Sequence, residues 1–128
     1  MTSDLQIPVL YAKIHRVRVT GADLHYEGSL SIDEDLMDAA GLTEFQQIDI
    51  YNVTNGNRLT TYAIPAERGS GMIRSNGAAA HLMNRGDLVI IAAYATLPKT
   101  QADTWKPTLV FVDENNRPVN ETPEILPV

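Results

Sequence analysis

Gln47-Ile48-Asp49-Ile50-Tyr51-Asn52-Val53-Thr54-Asn55-Gly56-Asn57-Arg58-Leu59-Thr60-Thr61-Tyr62-Ala63-Ile64 reads as two β-prone runs around a tight turn. Ile, Val, Thr and Tyr suit a pleated, half-buried surface, and Asn and Gly both tolerate the positive φ that a short hairpin needs. The two runs, Gln47 to Val53 and Arg58 to Ile64, therefore predict a β-hairpin closed by Thr54-Asn55-Gly56-Asn57. Alternation along the second run puts Arg58 and Tyr62 on one face and Thr61 on the other.

Outward from the hairpin, Asp87 to Leu97 is rich in Val, Ile, Ala and Tyr and predicts a strand opened by the Arg85-Gly86-Asp87 turn. Thr108 to Val112 predicts another. From Val9 to Val19 the period is again two: Tyr11, Lys13, His15, Val17 and Val19 share one face, with Ala12, Ile14, Arg16 and Arg18 on the other. Helical signals are short. Asp33 to Gly41 carries an N-cap aspartate, acids in the first turn and a glycine stop, and Gly77 to Met83 holds alanines enough for one turn. Strands do not alternate with long helices and no internal repeat occurs, so the class is mainly β, a closed barrel that hides its edges.

The chain has 128 residues, 44% of them hydrophobic, enough for one compact domain over 1–128 and too few for two. A net charge of −6 disfavours nucleic acid as a partner, because neutralising phosphates needs a basic surface. Without cysteine there is neither a disulfide framework nor a thiolate metal site. His15, His25 and His81 lack any ligand spacing, so no metal site is expected. The apolar run Ile7 to Ala12 stops at Lys13, far short of a spanning helix or a signal core; no membrane association and a cytoplasmic location are expected. Residues 1 to 8 and about 113 to 128 are polar or proline-punctuated and read as mobile or loosely packed ends.

A Gly-Ser pair such as Gly28-Ser29 is by itself an ordinary turn signal. Its surroundings are more specific: Lys13-Ile14-His15-Arg16-Val17, Thr20-Gly21-Ala22-Asp23-Leu24-His25-Tyr26-Glu27-Gly28-Ser29, Ile48-Asp49-Ile50-Tyr51-Asn52-Val53-Thr54-Asn55-Gly56, Thr61-Tyr62-Ala63-Ile64, Ala66-Glu67-Arg68-Gly69-Ser70 and Asn76-Gly77-Ala78-Ala79-Ala80-His81. In order and without gaps, from about Lys13 to Leu97, these closely resemble the pyruvoyl-dependent aspartate 1-decarboxylases, which make β-alanine for pantothenate. The resemblance implies a six-stranded double-psi β-barrel with short helices, and a homotetramer whose active sites lie between subunits. Tyr51 stands where relatives often carry another aromatic residue, and Leu30 follows the serine at a variable position.

Amino-acid decarboxylation leaves a carbanion at Cα, and no unmodified side chain offers an electron sink conjugated to that carbon. The resemblance implies autocatalytic cleavage between Gly28 and Ser29, giving chains 1–28 and 29–128 and a pyruvoyl cofactor from Ser29 that forms a Schiff base with L-aspartate. Glycine suits the preceding position because it admits strained conformations and leaves its carbonyl open. By the same resemblance Tyr62 is the proton donor, Thr61 serves cleavage and substrate contact, Lys13 is a substrate cation, and Asn76, Gly77, Ala78 and Ala79 form the substrate loop. Arg58 is the best candidate to hold a carboxylate, since a guanidinium matches it bidentately. Thr61 conflicts with simple alternation, which a bulge or a neighbouring subunit would resolve. A non-catalytic double-psi-barrel binding protein and an uncleaved proenzyme stay open, as does the need for an accessory maturation factor.

Overall fold

The structure, a computed structural model, describes residues 5 to 119. Nine strands form one mixed sheet: β1 (Gln6–Arg18), β2 (Gly21–Asp23), β3 (Ser29–Asp33), β4 (Gln47–Asn52), β5 (Arg58–Ala66), β6 (Ile73–Asn76), β7 (Leu88–Pro98), β8 (Thr108–Val112) and β9 (Pro118–Val119). Their order across the sheet is β2-β6-β3-β5-β4-β7-β1-β8-β9. The fold is mainly β. Strand segments outnumber the six of the expected barrel because the ladder takes in short pieces, the three-residue β2 and two-residue β9 among them.

Beyond the end of β1, the Thr20 N–H donates to Ile73 O at 2.7 Å and Thr20 Oγ1 accepts from Ile73 N–H at 3.0 Å. This couples the end of β1 to β6, five places away in the strand order, so the sheet curls around a core that includes Ile14, Leu30, Ile32, Ile50, Ile73 and Ile91. That curl is compatible with a barrel. Helix α1 (Glu34–Ala40) closes against the core through Leu36, Met37 and Ala40, with Asp33 accepting from Asp35 N–H and Gly41 at φ 74 ending it. A 3-10 turn (Gly77–His81) follows β6, and α2 (Lys99–Ala102) is a single exposed turn. Among the described residues no helix is long and apolar enough to cross a membrane.

The expected hairpin is present as β4 and β5, but its loop is wider than a two-residue turn. Gly56 alone takes a positive φ, 84°, while the Asn52 side chain accepts from Thr54 and Asn55 N–H and so folds the loop itself. Strict alternation in β1 also fails. Arg16 sits at φ 60 and the β1–β7 register shifts between Ile14 and Val17. One extra residue flips the parity, so Ala12 and Ile14 face the core before the bulge and Val17 and Val19 after it.

The ends are less free than their composition suggests. Gln6, Ile7 and Pro8 pair with Pro98, Leu97 and Thr96 on β7, because strand pairing satisfies backbone groups whatever the side chains are. At the other end Asn116 is buried, donating to Arg18 O and Gly71 O and accepting from Arg18 N–H, which pins the turn between β8 and β9. Residues 1 to 4 and 120 to 128, also expected to be mobile, lie outside the described residues.

His15 is buried edge-on against Phe111, and neither ring nitrogen has a hydrogen-bond partner. Burial, and then the nearby Lys13 and Arg16 charges, lower its pKa below the ordinary 6.5. The folded state thus keeps the ring neutral, whereas the unfolded chain protonates it as pH falls through 6.5. Stability from this group is present above that pH and lost below it. Thermal midpoints measured from pH 7.5 to 5.5 should fall more steeply for the wild type than for His15→Phe; parallel curves would show that His15 carries no such linkage.

Candidate active site

Ser29 opens β3, a strand whose five residues are all buried. Leu30 and Ile32 enter the core, so Ser29 and Ser31 face the other way, toward β6. The antiparallel register sets Ser29 opposite Asn76 and Ser31 opposite Arg74. Asn76 Nδ2 donates to Ser29 Oγ at 2.9 Å and to Ser31 Oγ at 2.8 Å, and its Oδ1 accepts from Arg74 Nε at 2.9 Å. The Ser29 hydroxyl leans toward Glu27 O at 3.5 Å, too far to be firmly held.

Gly28 is exposed and Ser29 fully buried, so the bond between them crosses from surface to interior. Gly77 makes this seating possible. At φ 63 it lies so close to the loop that a Cβ would stand 2.8 Å from Gly28 Cα and 2.9 Å from Gly28 N. Only a residue without a side chain lets β6 turn into the 3-10 segment at this distance.

A cavity of about 360 Å³ lies beside Ser29, lined by Gly28, Ser29, Leu59, Thr60, Thr61, Tyr62, Ala78, Ala79 and Leu82. Thr61 and Tyr62 both reach it although they point to opposite faces of β5. The β5 register with β4 runs without a shift, so no bulge is involved. Pairing of β5 with β3 begins only at Ala63, opposite Leu30, and residues 59 to 62 therefore have an open edge on that side. The cavity runs along this edge, where both faces of the strand are within reach. Phe45 packs on Tyr62 from the outside, their ring centroids 6.1 Å apart.

Arg58 and Lys13 stand elsewhere. Arg58 is exposed, pairs across the hairpin with Tyr51 and lays its guanidinium over that ring, 4.5 Å from the centroid. Tyr51 OH meets Tyr94 OH at 2.8 Å, and burial together with this contact pushes its phenol up to about 12. Lys13 lies across from Ala92, which lies across from Asp49, which lies across from Thr60. These four residues form one row over β1, β7, β4 and β5, and Arg58 and Tyr62 flank Thr60 on its face of β5. Neither cation lines the cavity beside Ser29. Arg68 lies in an exposed ion-pair fan with Glu34, Asp35 and Asp38 on α1.

The arrangement thus gathers Gly28, Ser29, Thr61, Tyr62, Ala78 and Ala79 around one cavity, with Asn76 and Gly77 bracing its wall. The aspartate decarboxylase family model matches residues 5–119. The chain belongs to the aspartate decarboxylase family. Strands β3 and β6, which carry the serine and its partner, were not singled out from sequence: each is short, and fully buried β3 lacks the alternation that marks a half-buried strand. Arg74 was also missed, and its only local signal is its spacing of two from Asn76.

Gly77→Ala would combine a strained positive φ with a clash against Gly28. A loss of about 1–3 kcal/mol is expected in chemical denaturation, together with faster proteolysis within residues 24 to 28. Wild-type stability and cleavage in that variant would show that the loop does not depend on the close approach.

Proposed function

We propose that this chain is a pyruvoyl-dependent aspartate 1-decarboxylase, converting L-aspartate to β-alanine and CO2 for pantothenate and coenzyme A biosynthesis after cutting itself between Gly28 and Ser29. The observation that carries this reading is the Ser29 hydroxyl, buried and held by Asn76 next to an exposed glycine, at the wall of a cavity that also holds Thr61 and Tyr62. Family membership supports aspartate decarboxylation as the reaction.

In the cleavage, Ser29 Oγ attacks the Gly28 carbonyl carbon and the acyl group passes from nitrogen to oxygen. Loss of the Ser29 Cα proton then breaks the Cβ–Oγ bond. This leaves a Gly28 carboxylate and a dehydroalanine, which water hydrolyses to the keto group with release of ammonia. One water is consumed in all. The pyruvoyl group at residue 29 would supply the electron sink for the carbanion that departing CO2 leaves behind. The site fits such a group: residue 29 lines the cavity, and the missing Cβ of Gly77 leaves room for the chain ends beside it.

Tyr62, on the cavity wall, is placed to return a proton to Cα, and the Thr61 hydroxyl to assist at the rearranging bond and at the substrate. Small residues Gly77, Ala78 and Ala79, following Asn76, let backbone N–H groups approach an anion. L-Aspartate also needs cations, and the cavity beside Ser29 has none among its lining residues. This supports a homotetramer in which Arg58 and Lys13 of a neighbouring copy complete each site. Exposed Phe45 and Tyr94 suit burial in such a contact. A firm grip on the departing carboxylate would oppose its loss, so Arg58 is assigned the retained side-chain carboxylate.

Intact mass spectrometry of active protein should show two fragments, the larger lighter by one ammonia than a chain beginning at free serine; Ser29→Ala should stay whole and inactive. Full activity from intact chain alone would sink the pyruvoyl mechanism. Purified chain that cuts only after cell extract is added would assign the step to an accessory maturation factor.

Arg58→Ala should lower kcat/KM on L-aspartate by roughly 30-fold to several thousand-fold, about 2–5 kcal/mol, while cleavage proceeds. L-Asparagine should be a poor substrate of the wild type, because its neutral amide cannot form the paired ionic contact. Near-normal kinetics in the variant would pass the role to Lys13.

A further inference from the structure

An asparagine amide can turn either end toward a neighbour, so what faces Ser29 Oγ depends on what holds the far end of Asn76. Arg74 decides it. Its Nε–H can only donate, and at 2.9 Å it requires Oδ1 on its own side, which leaves Nδ2 for Ser29 and Ser31. With a donor already on Oγ, the hydroxyl's own hydrogen is turned away from Asn76. Loss of Arg74 would leave Oδ1 without this donor and free the amide to flip, presenting a second acceptor to the serine.

The same guanidinium also reaches the other side of the scissile bond. Its Cζ lies 4.9 Å from the centroid of the Tyr26 ring, over its face, a cation–π distance. Tyr26 precedes Gly28 by two residues, and its carbonyl is 3.0 Å from where a Gly77 Cβ would stand. Arg74 therefore touches the amide that holds the attacking oxygen and the loop that carries the attacked carbonyl. Its backbone is fixed opposite Ser31 on one side and Gly21 on the other.

We propose that Arg74 is a positioning residue for self-cleavage, orienting Asn76 toward Ser29 Oγ while clamping Tyr26, so that nucleophile and carbonyl are held against each other. This role rests on the cleavage reading above. It assigns Arg74 no contact with L-aspartate.

The test follows the appearance of the 29–128 fragment by mass after a pulse of expression, in wild type, Arg74→Ala, Arg74→Lys, Asn76→Ala and the double Arg74→Ala/Asn76→Ala variant. Arg74→Ala should cleave about tenfold more slowly or worse, with Lys restoring only part because its ammonium cannot reproduce the planar donor. Millimolar methylguanidine added to purified Arg74→Ala precursor should speed its cleavage, an effect a purely structural role would not show. The double variant should be slower than Asn76→Ala alone by no more than the several-fold share of the Tyr26 clamp, less than the full Arg74→Ala loss. Should Arg74→Ala fail to fold, Tyr26→Leu on the exposed loop should still slow cleavage several-fold. Wild-type cleavage rates in Arg74→Ala, or losses that multiply independently in the double variant, would overturn the Arg74 role alone. A wild type that never cuts at Ser29 would remove the cleavage reading and this role together.

Discussion

Ser29 stands opposite Asn76 across the β3–β6 ladder, and the site depends on that one register. A slip of one residue would turn Ser29 into the core and Leu30 toward Asn76, because strand side chains alternate. Two independent restraints oppose the slip. Leu30 and Ile32 are completely buried in the core, and β5 runs parallel on the far side with Leu30 locked opposite Ala63. An interior strand thus buries Ser29 as fully as a core residue, while the glycine before it remains at the surface.

The cavity arises from the same pairing. Because β3 joins β5 only from Leu30 onward, the first half of β5 keeps an open edge facing Ser29, and Thr61 and Tyr62 both reach that opening. Continuing β3 by a few residues in the N-terminal direction would close the edge and fill the cavity with backbone. Gly77 lets the chain lie tightly over Gly28 at this point, so the loop forms the wall where the strand stops. Absence of a partner strand and absence of a side chain together create the space.

The charge distribution divides the work. Cations that could bind a dicarboxylate lie outside the cavity lining, where Arg58 rests on Tyr51 and Lys13 shares a cross-sheet row with Asp49. Arg74 instead belongs to the Ser29 side, spending its donor on Asn76 and its face on Tyr26. One chain therefore separates the groups around Ser29 from the two cations best suited to an acidic ligand.

Features set by nearest neighbours were legible in the sequence alone. The Asp33 cap, the Gly41 stop, the hairpin around Gly56, β8 and the 3-10 turn at Gly77 each follow from a donor, an acceptor or a permitted φ within a few residues. The mainly β class followed from the same local preferences, and the Gly28-Ser29 context pointed to the family. Tertiary structure alone decided the rest: the bulge at Arg16, the packed ends, the short strands β3 and β6, the open edge of β5 and the place of Arg74. These depend on pairing between distant segments, such as the 47-residue separation of Ser29 and Asn76, and on where one strand ends against another. Local patterning sets which residues pair well in a sheet, whereas register and edge positions emerge only when the core selects one of many pairings and buries it.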